Sequence, residues 1–202
     1  MKAKVSLHLA GREIRTGPRL TAAVLSAAIG ILAPTTCRLG ESLTVQAPSE
    51  GFNIRAESFR AGADIPRKFS CQGSDASPAL LWTEPPAGTQ SLALIADDPD
   101  APAGTWVHWV LYDLPSSVRR LSEAISPSEE VAGGGRQGVN DFGKLGYGGP
   151  CPPPGKAHRY FFKIYALDKR LDLKAGATKS DLERAMNGHV LAKAEVMGRY
   201  HR

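Results

Sequence analysis

Two short signatures that would fix an enzymatic chemistry at sight are missing: the 202 residues contain no Gly-x-Ser-x-Gly and no His-Glu-x-x-His. Without the first there is no strained strand-to-helix turn to lift a serine nucleophile beside a base. Without the second there is no helical pair of imidazoles to hold zinc. No segment repeats at a fixed period and none is of low complexity, which excludes solenoid and fibrous architectures. The longest apolar run, residues 20–33, has 14 residues, against the roughly 20 that cross a bilayer. Net charge is scarce outside the first segment. Residues 1–36 carry five Lys/Arg (Lys2, Lys4, Arg12, Arg15, Arg19) against Glu13, while from residue 37 onward 20 basic residues face 19 acidic ones. A remainder so close to neutral lacks the clustered cations with which nucleic-acid binders neutralise phosphates. Cysteine is also rare, with Cys37, Cys71 and Cys151 the only three.

What is present fits one domain with an appendage, since 42% hydrophobic residues suffice for a single packed core at this length. A basic prefix, an apolar run and Pro34 give residues 1–36 the layout of a secretory leader, with an uncleaved anchor as the alternative, so an exported (periplasmic or secreted) protein is expected. Cys37 raises lipidation, for which Pro34-Thr35-Thr36 is a poor context. Residues 37–51 read as a polar tether and residues 52–202 as the folded domain, with no membrane span in the mature chain. In an oxidising compartment Cys71 and Cys151 either pair or stay free thiols, because sequence supplies no distance between them.

Alternation of apolar and polar residues predicts strands over 52–59, 80–83, 91–96, 106–114, 158–168 and 194–200, separated by Gly/Pro/Ser/Asp clusters. The set predicts a mainly β fold: a Greek-key β-sandwich of antiparallel sheets with short peripheral helices. Residues 115–146 have almost no apolar periodicity and read as one long connection. One helix is predicted, opened by a capping box of Ser180 and Glu183, running through Met186 and stopped at Asn187-Gly188.

Two stretches carry chemistry. Across residues 146–160 a glycine run, a proline run and a histidine follow one another. Glycines let backbone N–H groups approach a ligand and prolines fix the path, so this loop reads as a preformed anion cradle. Upstream, Asp97, Asp98 and Asp100 stand at the end of the strand over 91–96, where Pro99 and Pro102 force the chain out of the sheet. Strict alternation puts Trp106, His108, Val110 and Tyr112 on one face of their strand and Val107, Trp109 and Leu111 on the other. It groups His158, Tyr160, Phe162 and Ile164 against Arg159, Phe161, Lys163 and Tyr165. Asp98 is suited either to orienting an imidazole or to accepting from an ammonium group, and Asp100 to an Asx turn. Taken singly, each histidine reads as a core side chain with a satisfied partner.

The separated motifs change that reading. Ile65-Pro66 through Cys71-Gln72-Gly73, Ser77-Pro78, Asp98-Pro99-Asp100-Ala101-Pro102, Trp106-Val107-His108-Trp109, Asp141-Phe142-Gly143, residues 146–152 and His158-Arg159-Tyr160 together resemble the phosphatidylethanolamine-binding protein family, in its bacterial Raf-kinase-inhibitor-like branch. The resemblance covers residues 52–202. It implies a small cavity for phosphate-bearing groups such as phosphoethanolamine, carried over to Asp98, Trp106, His108, Gly148, Gly149, Pro150, Pro152, His158 and Tyr160. Cys151 inside the proline run matches the bacterial type, and the C-terminal helix of mammalian members looks curtailed, so lipid-tail binding and kinase regulation transfer least.

The expected function is therefore a non-catalytic binding module for an anionic small molecule or phospholipid head group, with a protein partner of unknown identity and no cofactor or metal. Two alternatives remain: an inhibitor that inserts a surface loop into a protease or signalling protein, and a small-ester hydrolase. The last would use His108, His158 and Asp98, or a Cys151–His158 pair.

Overall fold

The structure, a computed structural model, describes residues 51–202; the leader and all but the last residue of the tether lie outside the described residues. Eight strands and one α-helix follow in the order β1 (Ile54–Ala56), β2 (Leu80–Trp82), β3 (Ser91–Asp98), β4 (Trp106–Pro115), β5 (Arg120–Leu121), β6 (Arg136–Gln137), β7 (His158–Leu167), α1 (Lys179–Met186) and β8 (Val190–Tyr200). They form two antiparallel sheets, β1-β2-β5 and β6-β4-β3-β7-β8. The mainly β, two-sheet expectation holds.

Strand β3 is buried at every position. It lies between β4 and β7, and each of its faces meets a separate apolar layer. Leu92, Leu94 and Ala96 join Trp109, Leu111, Tyr160, Phe162 and Ile164 against Ile54, Leu80, Trp82 and Leu121 of the small sheet. Ala93 and Ile95 join Val107, Val110 and Tyr112 beneath Leu182 and Met186 of α1. Burial of side chains of this size, at about 1.5–3 kcal/mol each, is what holds the two layers on the central sheet.

Three expectations need correction. Only residues 54–56 of the predicted opening strand pair in the sheet; beyond them the Glu57 N–H donates to the Ala79 carbonyl and the chain bends away. The interval 115–146 is not strandless, since β5 and β6 form within it as two-residue pairings too short to show a period. Helix α1 starts two residues earlier than predicted: Thr178, not Ser180, is the N-cap, and Thr178 with Asp181, not Ser180 with Glu183, makes the reciprocal capping box. Both tetrads satisfy the broader Ser/Thr-x-x-Asp/Glu pattern. The earlier start also brings Lys179 to the buried carboxylate of Asp97, 2.8 Å away.

The face assignment of β4 also fails, for a reason that shapes the site. Ala96 pairs with Trp109 but the next residue, Asp97, pairs with Val107, so His108 is an extra residue bulged out of the ladder. The bulge puts Val107 with Val110 and Tyr112 on the helix side and Trp109 with Leu111 between the sheets. His108 turns to the inter-sheet side, where its ring meets Tyr160. The alternation predicted for β7 holds, because its register against β8 runs unbroken from His158 to Ala166.

Candidate functional site

The antiparallel pairing brings the end of β3 and the starts of β4 and β7 to one rim, with Asp98 opposite Trp106. Pro99 stops the ladder there. The buried Asp98 carboxylate is held twice: Oδ1 accepts the Asp100 N–H at 2.8 Å, closing an Asx turn, and Oδ2 accepts Nδ1–H of His158 at 2.8 Å. One side chain thus performs both jobs that were divided between Asp98 and Asp100. Asp100 instead faces outward and ties down Arg159, accepting its backbone N–H at 2.9 Å, Nε at 2.9 Å and a terminal nitrogen at 2.7 Å. Hydrogen bonding from that guanidinium holds the Asp100 carboxyl down at about 2, from an ordinary 3.8.

His108 is 4% exposed, and its Nδ1 donates to the Gly148 carbonyl at 2.6 Å. A carbonyl only accepts, so that nitrogen carries the proton and the tautomer follows. Burial pushes the imidazole pKa down, with the Gly148 hydrogen bond and the Asp98 charge acting in the opposite sense. The ring stands edge-on to Phe142 at 5.4 Å and to Tyr160 at 5.1 Å.

The glycine run does not serve as the cradle of free amides that its sequence suggested. The Gly148 N–H donates to the His108 carbonyl at 2.9 Å and the Gly149 N–H to Asp75 Oδ1 at 2.7 Å. The glycines are required for close packing instead. A Cβ at Gly148 would come within 2.6 Å of the Phe142 ring, and one at Gly149 would collide with the Phe69 carbonyl oxygen and lie 2.6 Å from Asp75 Oδ1. Cys151 is bonded to Cys71, with Cα atoms 5.4 Å apart, and the Cys71 N–H donates to the Pro150 carbonyl at 3.1 Å. The proline loop is thereby pinned to the segment after residue 69. A thiol nucleophile at Cys151, as the Cys/His reading required, is not present.

These walls enclose a cavity of about 200 Å³, lined by Asp98, Trp106, His108, Pro152 and His158 among the expected residues. Gly148, Gly149, Pro150 and Tyr160 stand behind the wall rather than in it; Tyr160 supports His108. The structure adds Ala101, Pro102, Phe142, Cys151 and Pro153 to the lining. Phe142 lay in a recognised sequence motif without a role there. The Asn140 carboxamide holds it over the cavity by accepting the N–H groups of Phe142 and Lys144 at 3.0 and 3.1 Å. A wider groove of about 800 Å³ between Lys68 and Lys144 contains no histidine and lies outside this constellation.

Two donors at the site have no hydrogen-bond acceptor among the described residues. The indole N–H of the cavity-lining Trp106 and the hydroxyl of Tyr160 are both enclosed and unpartnered. The Tyr160 hydroxyl lies behind the wall and next to the Asp98 carboxylate, short of good hydrogen-bond geometry; burial raises its pKa, and the charge of Asp98 and weak hydrogen bonding toward it act in the same sense. Leaving such a group buried and unpaired costs about 1–3 kcal/mol.

The fold and rim define an antiparallel β-sandwich protein with a small aromatic and imidazole-walled cavity at one sheet end. Comparison with known proteins gives this class its family. The family model described as phosphatidylethanolamine-binding protein matches residues 55–201, and the chain belongs to that family. A UPF0098 protein of Aquifex aeolicus is 51% identical over 151 residues, covering 74% of this chain and 88% of that one. A UPF0098 protein of Methanothermobacter thermautotrophicus is 47% identical, covering 74% and 99%. Among solved structures, a phosphatidylethanolamine-binding protein homologue of Chlamydia trachomatis superposes with a TM-score of 0.70 at 40% identity, covering 76% of this chain and 99% of that one. YbcL of Escherichia coli, described as a member of the mammalian family, gives 0.69 at 31% identity, covering 75% and 98%. None of these names carries a catalytic activity.

Proposed function

We propose that this protein is a non-catalytic binding module whose rim cavity captures the phosphate head group of a small molecule or phospholipid. The observation that carries the reading is a small cavity whose wall includes Trp106, with its indole N–H unpartnered, beside two imidazoles whose Nδ1 atoms are tied off. Buried polar groups in folded proteins are nearly always paired, so an unpaired donor on a cavity-lining residue favours an acceptor oxygen brought by a ligand. A volume of about 200 Å³ is below the range of drug-sized sites and suits a head group rather than acyl chains. No serine lines the cavity and Cys151 has no free thiol, which weighs against the hydrolase alternative. Export fits the same picture, because a bonded Cys71–Cys151 pair persists in an oxidising compartment.

Calorimetric titration of phosphoethanolamine into the wild type and a His158→Ala variant tests the reading. Saturable heat that is lost in the variant supports it, and equal heats in both would remove the cavity from any head-group role.

A further inference from the structure

The cavity offers an anion no fixed positive charge. None of its lining residues is Lys or Arg, the amides of Gly148 and Gly149 are committed inside the fold, and Pro102, Pro152 and Pro153 have no N–H. What lines it instead includes the Asp98 carboxylate and a histidine whose remaining nitrogen is a bare acceptor. His108 Nδ1 keeps its proton toward the Gly148 carbonyl, so in the neutral ring Nε2 presents a lone pair, and it makes no hydrogen bond among the described residues. With both rings neutral, a phosphate dianion placed here would meet one negative charge and two lone pairs, on Nε2 of His108 and of His158. An oxyanion that brings its own proton would meet a matching acceptor.

We propose that the cavity takes a phosphate monoester together with one proton, held between a ligand oxygen and Nε2 of His108. The inference rests on the head-group reading above and adds the protonation state in which the ligand is held. In the empty site burial keeps the His108 ring neutral, so the proton enters with the ligand or from solvent as it binds. The ionisable groups around the ring are Asp98 on β3, His158 and Tyr160 on β7, and Asp141, whose carboxylate accepts the Val107 N–H at 2.7 Å. Arg159 is engaged by Asp100 outside the cavity. His158, paired with Asp98, is the group whose own titration the experiment has to separate from that of His108.

A phosphate monoester loses its second proton near pH 6. Above that, each pH unit leaves about tenfold less of the singly protonated ligand, so binding weakens as pH rises, by about twenty-fold between pH 5.5 and 7.5.

The test is calorimetry of O-phosphoethanolamine with the full chain at pH 5.5, 6.5 and 7.5, in two buffers of different ionisation heat. It uses the wild type, His108→Asn and His158→Asn, with 2-aminoethyl hydrogen sulfate as a ligand whose sulfate group carries no proton in this range. The expected results are the twenty-fold loss of affinity, uptake of close to one proton per ligand at pH 7.5, and at least tenfold weaker binding of the sulfate ester at pH 5.5. The pH slope should flatten in His108→Asn and persist in His158→Asn. If His108→Asn does not fold, proton uptake and the pH slope in His158→Asn still decide. Equal affinity at pH 5.5 and 7.5 without proton uptake overturns the inference while leaving the head-group reading intact, as does a slope that vanishes only in His158→Asn. No heat at any pH overturns both.

Discussion

Removing the Cys71–Cys151 bond by the double substitution Cys71→Ala/Cys151→Ala should lower the melting temperature by roughly 10–15 °C. The half-cystines are 80 residues apart in sequence. In the chain-entropy description, closing a loop of that length takes about 15 cal/mol/K from the denatured ensemble, or about 4.5 kcal/mol at 25 °C. Cys71 is exposed and Cys151 half-buried, so truncating them leaves no sealed hole in the core, and the loss lies almost wholly in the unfolded state. For a domain of this size each kcal/mol moves the melting temperature by about 2–4 °C. Thermal unfolding followed by circular dichroism provides the readout, with the wild type measured with and without reductant. Reduced wild type and double variant should melt together. A double variant melting within about 3 °C of oxidised wild type would refute the reasoning, as would native wild type in which a thiol reagent labels Cys71 or Cys151 before reduction.

Gly149→Ala should cost about 2–4 kcal/mol in urea unfolding, because the added carbon meets the Phe69 carbonyl and displaces the Gly149 N–H from Asp75; a loss under 1 kcal/mol would show that the loop can yield. Asp97→Asn should destabilise by about 2–3 kcal/mol, since the buried carboxylate joins Lys163 at 2.6 Å and Lys179 at 2.8 Å, and removing its charge leaves two ammonium groups facing each other; their partial exposure keeps the figure below that of a fully buried pair, and near-wild-type stability would discount the pair. For Asp100 the folded pKa lies below the unfolded value, so the stability from its pairing with Arg159 is complete above about 4 and disappears as pH falls through about 2. Melting temperatures of wild type and Asp100→Asn should therefore differ at pH 5 and converge by pH 2, and a gap that stays constant would rule out the linkage.

Much of the fold was legible because the long strands of the large sheet keep regular patterns. Strand β7 pairs with β8 almost without interruption, so two-residue alternation sorts its side chains correctly, with Tyr160, Phe162 and Ile164 in the inter-sheet core. Helix α1 was legible in kind but not in start, since Thr178 and Ser180 each open a valid capping tetrad and the choice turns on Lys179 reaching Asp97, a residue 82 positions away. The pairings of β5 and β6 depend on partners at Leu80, Leu81, Leu111 and Tyr112, and two residues carry no period of their own.

At the site, residue types were legible and their assignments were not, and the bulge at His108 explains most of the difference. Strict alternation would set His108 opposite Trp109; the extra residue puts both on the inter-sheet side and points the imidazole toward the Gly148 carbonyl. That one hydrogen bond fixes the tautomer, draws the glycine loop against β4 and returns the Gly148 N–H to the carbonyl of His108 itself. The loop amides that a Gly/Pro segment suggests for a ligand are thus spent on building the wall. What the cavity wall presents is side chains: the Trp106 indole, the two imidazole rings and the carboxylate behind His158. A site made of those groups responds to protons as much as to charge, because each imidazole exchanges donor for acceptor with a single proton whereas a backbone amide cannot.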